Sequence, residues 1–87
     1  MNVEVQYTTD CPNARPVLQR LKELAHDRAD ITLTIVRVAA VHTPEGFAGS
    51  PTVLIDGENP FGGVPVDAPA CALHPVTVDQ VEAAVGR

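Results

Sequence analysis

The sequence has no tryptophan, and Tyr7, Phe47 and Phe61 are its only aromatic residues. Large rings therefore cannot dominate its interior, and a core must come from Val, Leu, Ile and Ala. Long apolar runs are also missing: no stretch approaches the roughly 20 residues that a membrane-spanning helix needs, so no membrane association is expected. Lysine and arginine are scarce and one-sided. Arg15, Arg20, Lys22, Arg28 and Arg37 lie in the first half, and none falls between Val38 and Gly86, where Glu45, Asp56, Glu58, Asp67, Asp79 and Glu82 do. With a net charge of −5 and no basic stripe interleaved with aromatics, the chain is not expected to bind nucleic acid. Two cysteines, Cys11 and Cys71, are too few for a disulfide scaffold. The opening Met-Asn-Val-Glu-Val reads as a strand rather than a leader peptide, and the expectation is a cytoplasmic protein with reduced thiols.

What is present suits one small globular domain over residues 1–87, with 45% hydrophobic residues to build a modest core. Val3, Val5 and Tyr7 alternate with Glu4, Gln6 and Thr8, the period of a strand over 2–8. Ala14, Val17, Leu18, Leu21, Leu24 and Ala25 then recur at helical spacing, predicting a helix to about Arg28. Either Asn13 or Cys11 can serve as its N-cap. With Asn13, Pro16 falls in the first turn, where no donor is needed. The β-branched run from Ile31 to Val38 predicts a second strand, joined to the first by a right-handed parallel crossover. Residues 51–57 predict a third strand ending in an Asp56-Gly57 turn. A Gly- and Pro-rich loop follows, then a short fourth strand near 70–74. A helix begins at Thr77, with Gln80 completing a capping box and Val78, Val81 and Val85 as its buried stripe. Glu4 and Gln6 share one strand face, and Thr32 and Thr34 share another. That polarity predicts two helices on one side of the sheet and a largely open polar face on the other.

Cys11 therefore lies where a strand turns into a helix. Free N–H groups and the helix dipole at such a place favour an anion, and a thiolate is the reactive form of cysteine. As an alternative, Cys11 is an inert small residue in a turn. Thr8 and Thr9 are candidate donors to a thiolate, while the Asp10 carboxylate beside Cys11 opposes one. The basic face of the first helix, beside Cys11, would suit an anionic partner such as a small acidic thiol, although a solvated helix face has the same composition. Cys71 reads as a buried strand residue or as a distant second thiol. Cys71 and His74 form half a metal-ligand pattern with no second half, so no metal site is expected. His26 sits at the helix end and His42 in a loop.

Cys11-Pro12-Asn13-Ala14 after the first strand, Ser50-Pro51-Thr52 before the third, Asp56-Gly57 and Gly62-Gly63 together resemble the thioredoxin-like superfamily, at glutaredoxin size. The pattern is also similar to small bacterial thioredoxin-like proteins labelled alkylmercury-lyase-like. The resemblance implies an α/β fold: a mixed sheet of three to four strands with two main helices on one face. It implies Cys11 as the catalytic thiol and Pro12, Asn13, Ser50, Pro51 and Thr52 as substrate-binding residues. It also implies a cis Ser50–Pro51 bond. Ala14 stands where a dithiol enzyme has its resolving cysteine, so the implied mechanism is monothiol: Cys11 attacks a mixed disulfide, and a second thiol resolves it.

The leading expectation is thus a monothiol, glutaredoxin-like oxidoreductase with no bound cofactor. Glutathione is a candidate co-substrate, and a small thiol or a protein disulfide is the partner. Two others stand beside it: a redox-inactive thioredoxin-fold binding module, and a thiophilic-metal or organomercury protein using Cys11 and Cys71. Cys11 is expected at the surface as the more reactive thiol, with Cys71 unbonded to it on a non-adjacent strand. Nothing in the sequence speaks to oligomeric state.

Overall fold

Alternation along the first strand makes it two-faced, and it becomes the centre of the sheet. In a computed structural model describing residues 1–9, 11–39, 43–44, 46–62, 65–66, 70–71 and 75–86, five elements follow one another. They are β1 (Asn2–Tyr7), α1 (Ala14–Asp27), β2 (Thr32–Arg37), β3 (Thr52–Ile55) and α2 (Val78–Val85). The sheet order is β2-β1-β3. β2 pairs parallel to β1, with Val5 opposite Ile35 and Tyr7 opposite Arg37. β3 pairs antiparallel, with Val5 opposite Val53 and Gln6 opposite Thr52. The chain is thus mixed α/β, with a three-stranded mixed sheet. Of the expected fourth strand only Cys71 is described in pairing, through a single parallel bridge to Ser50. Residues 72–74 lie outside the described set.

One core joins the elements. Val3, Val5 and Val53 meet Val17, Leu21 and Leu24 of α1 and Val81 and Val85 of α2, so both helices bury their apolar stripes against the same sheet face. Leu21 and Val81 are fully buried, and Leu18 packs against the cluster from its margin. The ends of the helices obey their local chemistry. Asn13 is the N-cap of α1, without a side-chain cap bond. Pro16 falls in the first turn, where its missing N–H costs nothing. Thr77 Oγ1 accepts from Gln80 N–H at 3.2 Å, and Thr77 N–H donates to Gln80 Oε1 at 2.9 Å, closing the capping box. The Asp56-Gly57 turn takes φ values of 51° and 86°, the left-handed geometry a tight hairpin turn demands. Ser50–Pro51 is cis, as the motif implied.

The open polar face is only half present. Thr32 and Thr34 are exposed and Glu4 half-buried, but Gln6 and Thr52 are buried. Thr52 lies on the face opposite Val53, and its hydroxyl accepts Ala48 N–H at 3.0 Å and donates to Gly49 O at 2.6 Å. The Thr52 side chain is therefore tied into the turn that leads into β3. Phe47 is fully buried outside the helix-facing cluster. Among the described residues no helix is long and apolar enough to cross a membrane.

Candidate functional site

The C-terminal end of β1 turns twice before α1 starts. Cys11 N–H donates to Thr8 O at 3.2 Å, and Ala14 N–H donates to Cys11 O at 3.3 Å. These turns put Cys11 beside the start of α1 and against Ser50. Ser50 is wholly buried and holds three segments together. Its Oγ accepts Thr8 N–H at 3.0 Å, its N–H donates to Ala70 O at 2.7 Å, and its carbonyl lies 3.5 Å from Cys11 Sγ. Because Ser50 pairs with Cys71 in a parallel bridge, the returning chain delivers Cys71 to the same place.

Cys11 and Cys71 are joined by a disulfide, with Cα atoms 5.8 Å apart across a sequence separation of 60. This overturns the expectation of two separate, reduced thiols. The physical reason is that Ala70 and Cys71 lie alongside Ser50, bonded to it through the Ala70 carbonyl and the parallel bridge, rather than on a distant strand. The expected exposures are reversed as well. Cys11 is 5% exposed, whereas Cys71 is exposed rather than buried. In the oxidised pair Cys11 Sγ carries no proton, so its contact with the Ser50 carbonyl is packing. Once reduced, the thiol has that carbonyl as a ready acceptor.

A cleft of about 750 Å³ opens beside Cys11, between Tyr7 at the end of β1 and the flank of α1. Thr9, Pro12, Arg15, Leu18 and Lys22 contribute to its wall. Arg15, Leu18 and Lys22 recur at helical spacing, which puts them on one stripe of α1 next to the buried stripe. Pro12 and Asn13 are exposed. Pro51 and Thr52 line a second hollow of about 500 Å³ with Phe61, Val76 and Gln80. Neither the Thr8 nor the Thr9 hydroxyl bonds Cys11 among the described residues; Thr8 engages through its backbone. His26 ends α1. Asp10, His42, Gly63 and His74 lie outside the described residues.

Of the residues singled out in the sequence, the structure therefore gathers Cys11, Ser50 and Cys71 into one constellation. It sets Thr52 into the turn at 48–52. Sequence reasoning assigned no cleft to Tyr7, Arg15, Leu18 and Lys22; the signal available was the second helical stripe. Among the described residues there is no group of three or more His, Cys, Asp or Glu side chains that could hold a metal ion. No protein-family model matches the chain, and neither the curated proteins nor the solved structures give a significant match.

Proposed function

We propose that this is a small thioredoxin-like thiol–disulfide exchange protein whose reacting pair is Cys11 and Cys71. The observation that carries the reading is the disulfide linking them beside a cleft walled by Cys11. The sheet order, parallel between β1 and β2 and antiparallel between β1 and β3, and the cysteine at the strand-to-helix junction support the architecture. Cys71 takes the resolving part that Ala14 cannot.

In the reduced protein the Cys11 thiolate attacks one sulfur of a substrate disulfide in the cleft. A Cys11–substrate bond forms, and the other half leaves as a thiolate that takes up a proton. The Cys71 thiolate then attacks Cys11 Sγ, forming the Cys11–Cys71 bond and expelling the second half. Two electrons have passed from the protein to the substrate. The exposed Cys71 is the accessible sulfur for recovery: a small thiol such as glutathione attacks it, releasing Cys11 as a thiolate, and a second thiol molecule frees Cys71. In the cytoplasm, which we assign as the compartment, a disulfide of this kind is a catalytic or sensing state rather than a scaffold.

The test is a turnover assay with a mixed disulfide and excess small thiol, run on wild type, Cys11→Ser and Cys71→Ser. We expect no turnover for Cys11→Ser. For Cys71→Ser, mixed with the disulfide before any small thiol is added, we expect a trapped mixed disulfide on Cys11, visible by mass. Turnover by Cys11→Ser, or none by the wild type, would reject the exchange reading; inactivity of the wild type would leave a binding module.

The same convergence favours a second reading, in which the reduced pair binds a thiophilic metal ion through two thiolates. Titration of the reduced protein with Cd²⁺ should then give a thiolate-to-metal absorption band saturating at one ion per chain, lost in either single cysteine variant. No band would dismiss it.

A further inference from the structure

We infer that the cleft beside Cys11 is a binding site for the anionic, part-apolar body of a small organic disulfide, with Arg15 and Lys22 as its charge-reading residues. This deepens the exchange reading and rests on it.

The argument begins with where the cations are spent. Arg20 pairs with Glu23 and Glu82, at 3.7 and 3.5 Å. Arg28 pairs with Asp30 at 2.7 Å. Arg15, Lys22 and Arg37 make no ion pair among the described residues. Two of these three line the cleft, and the third stands in register with Tyr7, which also lines it. Among the described residues, two of the three side-chain cations without an ion pair thus stand in the wall next to the reacting sulfur, in a chain of net charge −5. Among the described residues the cleft wall holds two cations and no carboxylate.

Spacing and floor then define the ligand. Arg15 and Lys22 are two helical turns apart, about 10 Å along the axis at ~1.5 Å per residue. Between them on the helix stripe lies Leu18, which is half-buried, and Tyr7 also lines the cleft, so the stripe is apolar in its middle and cationic at its ends. Gln19 adds an amide to the wall. The volume of about 750 Å³ lies within the usual small-ligand range of about 300–1,000 Å³. A disulfide carrying carboxylates on an apolar or aromatic frame matches all three features. A neutral hydroxyalkyl disulfide matches none of the charges.

The experiment compares two substrates on one enzyme. One is 5,5′-dithiobis(2-nitrobenzoate), an aromatic disulfide with two carboxylates; the other is 2-hydroxyethyl disulfide, which is neutral. Reduced wild type is set against Arg15→Gln, Lys22→Gln and the double variant, at low and at raised salt. The double variant should lose roughly five- to tenfold in kcat/KM for the dianion at low salt, mostly through KM. The loss should shrink as salt screens exposed charges. Reaction with the neutral disulfide should stay within about twofold. An equal change for both substrates, or no change for the dianion, would overturn the site. If the wild type reduces neither substrate, the exchange reading itself fails, and the two failures are told apart. A binding readout separates the site from the chemistry: 2-nitrobenzoate, which has no sulfur, should slow alkylation of Cys11 in reduced Cys71→Ser, and should do so less when Arg15 and Lys22 are replaced. Absence of protection at millimolar 2-nitrobenzoate would also overturn the proposal.

Discussion

Reducing the Cys11–Cys71 bond should cost this small protein a large share of its stability, and the size follows from the loop it closes. The bond spans 60 residues. In the chain-entropy treatment a cross-link removes about 2.1 + 1.5R ln n cal/mol/K from the unfolded chain, which for such a loop is about 14 cal/mol/K, or about 4 kcal/mol at 25 °C. A folded chain of 87 residues at the ordinary ~0.05–0.15 kcal/mol per residue has only about 4–13 kcal/mol in all. The reduced protein should therefore be folded but marginal. With a urea m-value of about 1.5 kcal/mol/M, the unfolding midpoint should fall by about 3 M on reduction. The assay is urea unfolding followed by circular dichroism, on protein whose redox state is fixed and checked by mass. Cys71→Ser is the matched control. Cys71 is exposed, so this variant should coincide with the reduced wild type, while Cys11→Ser, at a buried position, should be lower still. A midpoint shift under about 0.5 M between fully oxidised and fully reduced protein would refute the reasoning. It would mean that the two cysteines are already held together in the unfolded chain.

Three more expectations follow from the packing. Leu21→Ala, at a fully buried position shared by both helices and the sheet, should lower unfolding free energy by about 2–5 kcal/mol; an effect under about 1 kcal/mol would mean the helix face is wrongly assigned. Ser50→Ala removes the acceptor of Thr8 N–H and should cost about 1–3 kcal/mol, while the rate of Cys11–Cys71 re-oxidation drops because the loop carrying Cys11 loosens. An unchanged re-oxidation rate would show that the Ser50 hydroxyl does not position the pair. Asp30 is held below the usual carboxylate range by its hydrogen bonds from Arg28 and, after that, by the Arg28 charge. The unfolded chain thus binds the proton first as pH falls, so stability is intact above the ordinary value near ~3.9 and declines below it. Asp30→Asn should flatten that acid limb, and an unaltered limb would assign it to other carboxylates.

How much of this was legible in the sequence depends on the range of each interaction. The stripe of Val17, Leu21 and Leu24, the Thr77–Gln80 capping box and the Asp56-Gly57 turn are set by neighbours within four residues, and each formed as its local chemistry required. The parallel pairing of β1 with β2 followed from the strand–helix–strand order. Gln6 was different. Its alternation with Val5 assigned it to an open polar face, yet it is 2% exposed, donating to Glu4 at 2.6 Å and leaving Oε1 without a partner among the described residues. Its partner across the sheet is the buried Thr52, more than 40 positions later in the chain, whose hydroxyl is tied into the turn before β3. Cys71 was hidden for the same reason. The Gly- and Pro-rich residues before it have no periodicity that says where they lead, and Cys71 is placed instead by its bridge to Ser50 and its bond to Cys11. The cleft was half visible: the basic helix face could be seen, but which cations were already paired could not.

Arg28 has a consequence for how this molecule can be handled. Its guanidinium grips Asp30 and also donates to the carbonyls of Val85, at 2.6 Å, and Gly86. The amino group of Met1 donates to Asp30 O at 2.7 Å. Both ends of the described chain are therefore moored to one turn, at the N-terminal end of β1. The disulfide lies past the other end of that strand, about 20 Å away at ~3.3 Å per residue. A tag, tether or neighbouring domain joined at either end would leave from the side remote from the sulfurs. A surface-immobilised or fused copy would thus keep its reacting face turned outward, and a short linker between the two ends would permit new termini to be cut elsewhere in the chain.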